Sequence, residues 1–293
     1  MRSSISEITT VGASFAEDVA AYAAAGLEAI GIWELKLPAS DAGAEPGAPS
    51  ADAAARDLLA RHGLAVACCI PLVPSILPLT VAPFDQPADP AARVEGLCAS
   101  IRRLAAFRPE TVMCLAGPLA GRSRDEGLAL LRDGLRTAAA VARECSTRLA
   151  FEPVHPTQHD GTGFLHTMAE VDELLAAPGL EEVGVLLDAY HFAHDPGAPA
   201  WARANAGRVY AFHCSDWPAE SDTAARAAGS RVVPDPATSP AVPLLRALRE
   251  SGWDGSVDVE IFSTPDAFWG LPVDEAASLA GAAARGLIAA AQA

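Results

Sequence analysis

Short runs of consecutive apolar residues alternate with longer amphipathic stretches eight times along this 293-residue chain. The apolar runs predict strands at SISEITT, LEAIGIWELKL, AVACCIPLV, TVMCLAG, RLAFEPV, EVGVLLDAYH, RVYAFHCSDW and SVDVEIF. Most are continuously apolar rather than alternating, as expected of parallel strands covered on both faces. The stretches between them predict helices. These are SFAEDVAAYAAAG, ADAAARDLLARHG, AARVEGLCASIRRLAAF, RDEGLALLRDGLRTAAAVAREC, HTMAEVDELLAA, a short WARANAG, AVPLLRALRESG and a closing helix from about Val273. Ser14 is the expected N-cap of the first helix and Gly26 its stop. Eight such units in one domain-sized chain predict an α/β fold, a (β/α)8 TIM barrel forming a single domain over residues 1–293. No G-x-G-x-x-G follows the first strand, which removes the best signal for a dinucleotide fold. The long loops after strands three and seven are candidate lids.

Four residues with ligand chemistry sit near the ends of four successive runs: Glu152 in LAFEPVHP, Asp188 in VGVLLDAYH, His213 in VYAFHCSDW and Glu260 in VDVEIF. Gaps of 36, 25 and 47 residues assign each to a separate strand–helix unit. In a parallel barrel the strand C-termini converge on one mouth, so the four side chains can face a common centre. Three carboxylates and an imidazole form a hard-to-borderline donor set. It suits one divalent ion in an open site, Mn²⁺ foremost, with Mg²⁺, Co²⁺ or Zn²⁺ as alternatives. A bare carboxylate in an apolar strand would be costly to bury, which favours ligation over structural pairing.

Composition narrows the partners. The chain has 21 Lys and Arg against 37 Asp and Glu, a net charge of −16, and no basic run. Such a surface repels phosphate backbones, so nucleic acid is not an expected partner. No stretch reads as membrane-spanning. The six cysteines form no C-x-x-C pair and fall mostly in apolar runs. Free buried thiols and the lack of an apolar leader in MRSSISEITT point to a cytoplasmic protein.

The motifs FEPVHP, LLDAYHF, HCSDW with a following Arg, and GWDG-x-VDVEIF resemble the xylose isomerase-like TIM-barrel superfamily. That superfamily includes sugar isomerases and epimerases, inosose and dehydroshikimate dehydratases, C-glycoside deglycosidase subunits and endonuclease IV. The resemblance implies Glu152, Asp188, His213 and Glu260 as metal ligands. It implies His191, three residues past the Asp, as a substrate contact, and Arg231 as a binder of a substrate oxygen. Two positions depart from the ketose epimerases. Gln158 stands where they carry a second Glu, and Pro-Asp-Pro-Ala replaces a glycine-rich turn after Arg231. Dimers and tetramers are common in such proteins, so a homo-oligomer is a further expectation.

The chemistry follows from the donors. A divalent ion on a carbonyl and its neighbouring hydroxyl acidifies the intervening C–H and stabilises an enediolate. Glu152 and Glu260 could then carry the proton on two faces, with His191 or His155 as a further acid or base. Asp216 is a candidate for a substrate hydroxyl, and Trp33 for an apolar wall against a sugar face. The leading expectation is a metal-dependent sugar or cyclitol isomerase or epimerase acting on a polyhydroxy carbonyl compound. A lyase on the same scaffold is the alternative, and a non-catalytic polyol-binding barrel a second one.

Overall fold

In a computed structural model, which describes residues 1–38, 50–81, 84–218 and 231–293, eight parallel strands close into a barrel in sequence order. They are β1 (Arg2–Ser6), β2 (Ala29–Trp33), β3 (Ala65–Ile70), β4 (Thr111–Leu115), β5 (Leu149–Glu152), β6 (Val183–Asp188), β7 (Val209–Cys214) and β8 (Ser256–Val259). β8 returns to pair with β1. The helices are α1 (Phe15–Ala24), α2 (Ala51–His62), α3 (Pro90–Leu104), α4 (Arg124–Glu144), α5 (Met168–Leu175), α6 (Ala189–Phe192), α7 (Ala198–Ala204), α8 (Ala241–Glu250) and α9 (Val273–Gln292).

Two apolar layers hold this arrangement. The larger lies between strands and helices and includes Ile30, Leu97, Leu135, Phe151, Phe212 and Leu287. The smaller plugs the barrel, with Cys68, Ile70, Met113, Leu115, Ala150, Leu186 and Ala211. Such a filled interior leaves chemistry to the mouth. Ser14 caps α1 through a reciprocal capping box with Glu17, and Gly26 takes the left-handed conformation (φ 73°) that ends the helix.

Every observed strand is shorter than its apolar run, and three of them show what ends it. SISEITT yields only Arg2–Ser6, and Glu7–Thr10 form a 3-10 turn. There Glu7 accepts from the Trp33 backbone N–H at 2.9 Å, and the Thr9 hydroxyl donates to the Val259 carbonyl at 3.0 Å. These side chains take backbone partners that a continued ladder would have used. LEAIGIWELKL likewise stops at Trp33, where Glu34–Lys36 turn and Lys36 reaches Asp18 at 2.6 Å. EVGVLLDAYH stops at Asp188, whose carboxylate accepts from the Tyr190 N–H at 2.9 Å and starts the single helical turn α6. Part of each expected lid (82–83 and 219–230) and the segment 39–49 lie outside the described residues. Among the described residues, no helix is long and apolar enough to cross a membrane.

Candidate metal centre

Strand register assembles the site. Asp188 pairs across the ladder with His213, and His213 with Asp258. Partners in register face the same side of a sheet, so the three form one inward row. Glu260, two residues past Asp258, projects to the same side nearer the mouth. Glu152 ends β5 on the neighbouring side, and all five residues are buried.

Arg231 enters this ring of carboxylates. Its Nη1 lies 3.1 Å from Asp188 Oδ2 and 3.0 Å from Glu260 Oε2. The guanidinium carbon sits 4.1 Å from the Tyr190 ring centre and 4.7 Å from that of Phe262, a pairing that suits a planar cation. The loop bearing Arg231 is pinned on both sides. The Arg231 N–H donates to the Phe262 carbonyl, and Val232 and Asp216 exchange backbone hydrogen bonds.

His191 comes from α6. Its Nδ1 accepts the His155 backbone N–H at 3.0 Å, so in the neutral ring the proton resides on Nε2. Burial, then the nearby Arg231 cation, push its pKa well below the ordinary value, keeping the ring neutral. Nε2 faces Asp188 at 3.7 Å and Glu152 at 3.9 Å. Ligand atoms of Glu152, Asp188 and His191 all lie within 4.8 Å of one another, a spacing that could hold a cation. The tautomer nevertheless makes His191 Nε2 a hydrogen donor towards that spot.

His213 differs. Its ring is 1% exposed, and neither nitrogen is hydrogen bonded among the described residues. Nδ1 lies 3.5 Å from Glu260 Oε1 and Nε2 lies 3.6 Å from Asp258 Oδ2. Burial works to lower its pKa, but Glu260 outweighs it and holds the ring well above its ordinary value, so the metal-free site keeps a cation among its carboxylates in a place that a bound metal ion's charge could take.

The carboxylates titrate apart. Burial, reinforced by Glu260 and Asp188, raises Glu152 well above the usual range. Burial also pushes Glu260 up, but His213 and Arg231 outweigh it and hold the group below its ordinary value. Two carboxyls pushed in opposite directions are the arrangement an acid–base pair needs.

Other predicted residues lie elsewhere. His155 brings its backbone, not its ring, to His191; its Nδ1 meets the Thr157 hydroxyl at 2.8 Å, and its ring packs on His194 and Trp217. Asp216 uses both oxygens locally, accepting from the Asp235 N–H at 3.0 Å and the Ser239 hydroxyl at 2.6 Å, so it organises the Arg231 loop. Trp33 packs on Phe84 and does not line the cavity at the site. Asp258 escaped the sequence reading, although the alternation in VDVE aligns it with Glu260. Space for its carboxylate comes from Gly31, where any Cβ would strike Asp258 Oδ2.

A cavity of about 200 Å³ opens onto Glu152, His191, Arg231 and Glu260. Its other walls come from the ends of β3, β4 and β5 and from the loops that follow β1, β3, β5 and β8.

The chain belongs to the xylose isomerase-like TIM-barrel family, whose model matches residues 19–287. Among solved structures it is similar to protein SMc04130 of Sinorhizobium meliloti 1021, at 22% identity and TM-score 0.77, over 97% of each chain. It is also similar to an IOLI protein with a binding zinc atom, at 18% identity and TM-score 0.76, over 99% of this chain and 98% of that one. A D-psicose 3-epimerase in the presence of D-fructose aligns at 17% identity and TM-score 0.69, over 97% of this chain and 96% of that one. No curated protein matches the chain.

Proposed function

We propose that the protein is a divalent-metal-dependent isomerase or epimerase of a sugar, cyclitol or related hydroxy-ketone. The observation that carries this reading is the buried His213, with neither nitrogen hydrogen bonded among the described residues, in register with Asp188 and 3.5 Å from Glu260, while Glu152 and Glu260 open onto the cavity. These four would hold the ion, with Mn²⁺ as first choice and Mg²⁺, Co²⁺ or Zn²⁺ as alternatives. A bound cation supplies Lewis-acid polarisation of the substrate's carbonyl and adjacent hydroxyl. Glu260 is placed to remove the proton from carbon and Glu152 to return one on the other face. His191 donates its Nε2 proton to a substrate oxygen, and Arg231 leaves its carboxylates to bind another. The zinc in the IOLI structure and the epimerase among the structural relatives agree with this reading.

One observation favours a lyase as the second reading. The His191 Nε2–H beside Glu152 is a ready donor to a departing hydroxyl. Incubating Mn²⁺-loaded protein with ketoses and inososes in D₂O separates the two. An isomerase or epimerase returns an isomer of the substrate carrying one carbon-bound deuterium, whereas a dehydratase product has lost water. Loaded protein that neither exchanges nor converts any member of the panel would contradict both.

Asp258 acts here as a positioning residue. On metal binding it would accept from His213 Nε2, which lies 3.6 Å from its Oδ2 in the metal-free protein, and so present Nδ1 as the ligand atom. Removing such an outer partner typically costs about 10–100-fold in metal affinity. Asp258→Ala is expected to weaken Mn²⁺ binding by that amount in calorimetry, with Asp258→Asn recovering part of it. The melting temperature of the metal-free Ala variant should not fall, because the carboxylate it removes is hydrogen bonded to nothing among the described residues. Unchanged affinity in Asp258→Ala would remove this role.

A further inference from the structure

We infer that the natural substrate couples its chelating hydroxy-carbonyl group to an apolar, aryl-sized substituent, a conclusion that rests on reading the site as a divalent-metal centre. The cavity is sharply two-ended. Glu152, His191, Arg231 and Glu260 form one end, and the rest of the lining is predominantly apolar. Part of that lining is only the barrel plug reaching the surface. Ile70, Met113 and Leu115 would be apolar in any barrel of this kind.

Other apolar liners have no such excuse. Leu79, Val81 and Phe84 come from the loop after β3, beyond the strands, and Phe262 from the loop after β8. Val81 is 63% exposed, yet it lines the cavity. An apolar wall at a binding cleft, rather than any single exposed side chain, marks a surface for an apolar partner.

Among the described liners away from the metal end the polar side chains are Gln158 and Thr162; the Thr162 hydroxyl donates to the Gln158 carbonyl at 2.9 Å, which leaves the Gln158 amide N–H as the chief side-chain donor on that wall. The distal hydroxyls of a ketohexose would therefore leave water for few partners among the described residues, and each unpaired one costs affinity. A buried ring or alkyl group gains from the same surface.

The test uses three hydroxamates that share one bidentate head: acetohydroxamate, benzohydroxamate and gluconohydroxamate. Each is titrated calorimetrically into Mn²⁺-loaded protein of measured metal content. Benzohydroxamate is expected to bind at least about tenfold more tightly than either of the others. Leu79→Gln and Phe84→Gln should erase most of that advantage while leaving acetohydroxamate unchanged. Gluconohydroxamate binding as tightly as the aryl compound would overturn the apolar substituent and leave the metal centre standing. An aryl advantage that survives both Gln substitutions would also overturn it. Failure of all three to bind loaded protein would remove the chelating centre itself, and this inference with it.

Discussion

Replacing Arg231 with methionine should destabilise the metal-free protein by about 3–5 kcal/mol, the usual cost of removing one partner from a buried ion pair. Its Nη1 lies within 3.1 Å of both Asp188 Oδ2 and Glu260 Oε2, and the residue is 6% exposed. Methionine keeps an apolar stem between Tyr190 and Phe262 but leaves two buried carboxylates facing each other. The sign with pH follows from linkage. Without the cation, Asp188, already held by burial above its unfolded value near about 4, rises further, and Glu260 loses one of the two partners that hold it down. The penalty is therefore full at neutral pH and shrinks as both forms become protonated towards pH ~4. Chemical denaturation at several pH values reads this directly. The variant should also bind Mn²⁺ more tightly and gain more thermal stability from it, because no guanidinium has to be displaced. A variant as stable as the parent at neutral pH, with unchanged Mn²⁺ affinity, would contradict this account of Arg231.

The second large effect is expected at the two glutamates. On an identified substrate and at saturating metal, Glu152→Gln and Glu260→Gln should each lower kcat by about 10²–10⁴-fold, the usual worth of a positioned acid or base. Glutamine keeps the carbonyl oxygen that can face a cation and loses the exchangeable proton. Residual metal binding with absent turnover therefore separates proton transfer from ligation. The two variants should also differ. Glu260→Gln removes a partner of both His213 and Arg231, whereas Glu152→Gln exchanges a carboxyl already pushed towards its neutral form. Glu260→Gln is thus expected to show the larger loss of metal affinity. Full turnover in both variants would remove their assigned roles.

The barrel was legible because parallel strands covered on both faces must be continuously apolar, and eight such runs leave few topologies. Glu152, Asp188, His213 and Glu260 were legible for the related reason that a charged or imidazole group ending an apolar run is costly without a purpose. Side-chain direction was harder. Asp258 shares its run with Glu260, but its place beside His213 depends on the β7–β8 register, which no local pattern states. In the sequence His155 and His191 are both candidate acids or bases, with His191 alone implied as a substrate contact. They separate only because a backbone N–H of one fixes the ring of the other. Asp216 and Arg231 are likewise both candidate substrate contacts in the sequence. The fold uses Asp216 to anchor the segment that delivers Arg231. Strand ends misled where side chains capture backbone partners, as Glu7, Thr9 and Asp188 do. The apolar cavity wall was the least visible feature. It draws on loops whose proline-rich sequence says little about what they face.

The most direct test of a divalent-metal centre is elemental analysis of the purified protein by plasma mass spectrometry, with Asp188→Ala prepared in parallel. The account predicts about one equivalent of Mn, Co, Zn or Fe, or one equivalent taken up on loading, and its loss in the variant. No bound metal, together with no thermal shift on adding Mn²⁺, Co²⁺ or Zn²⁺, would contradict it.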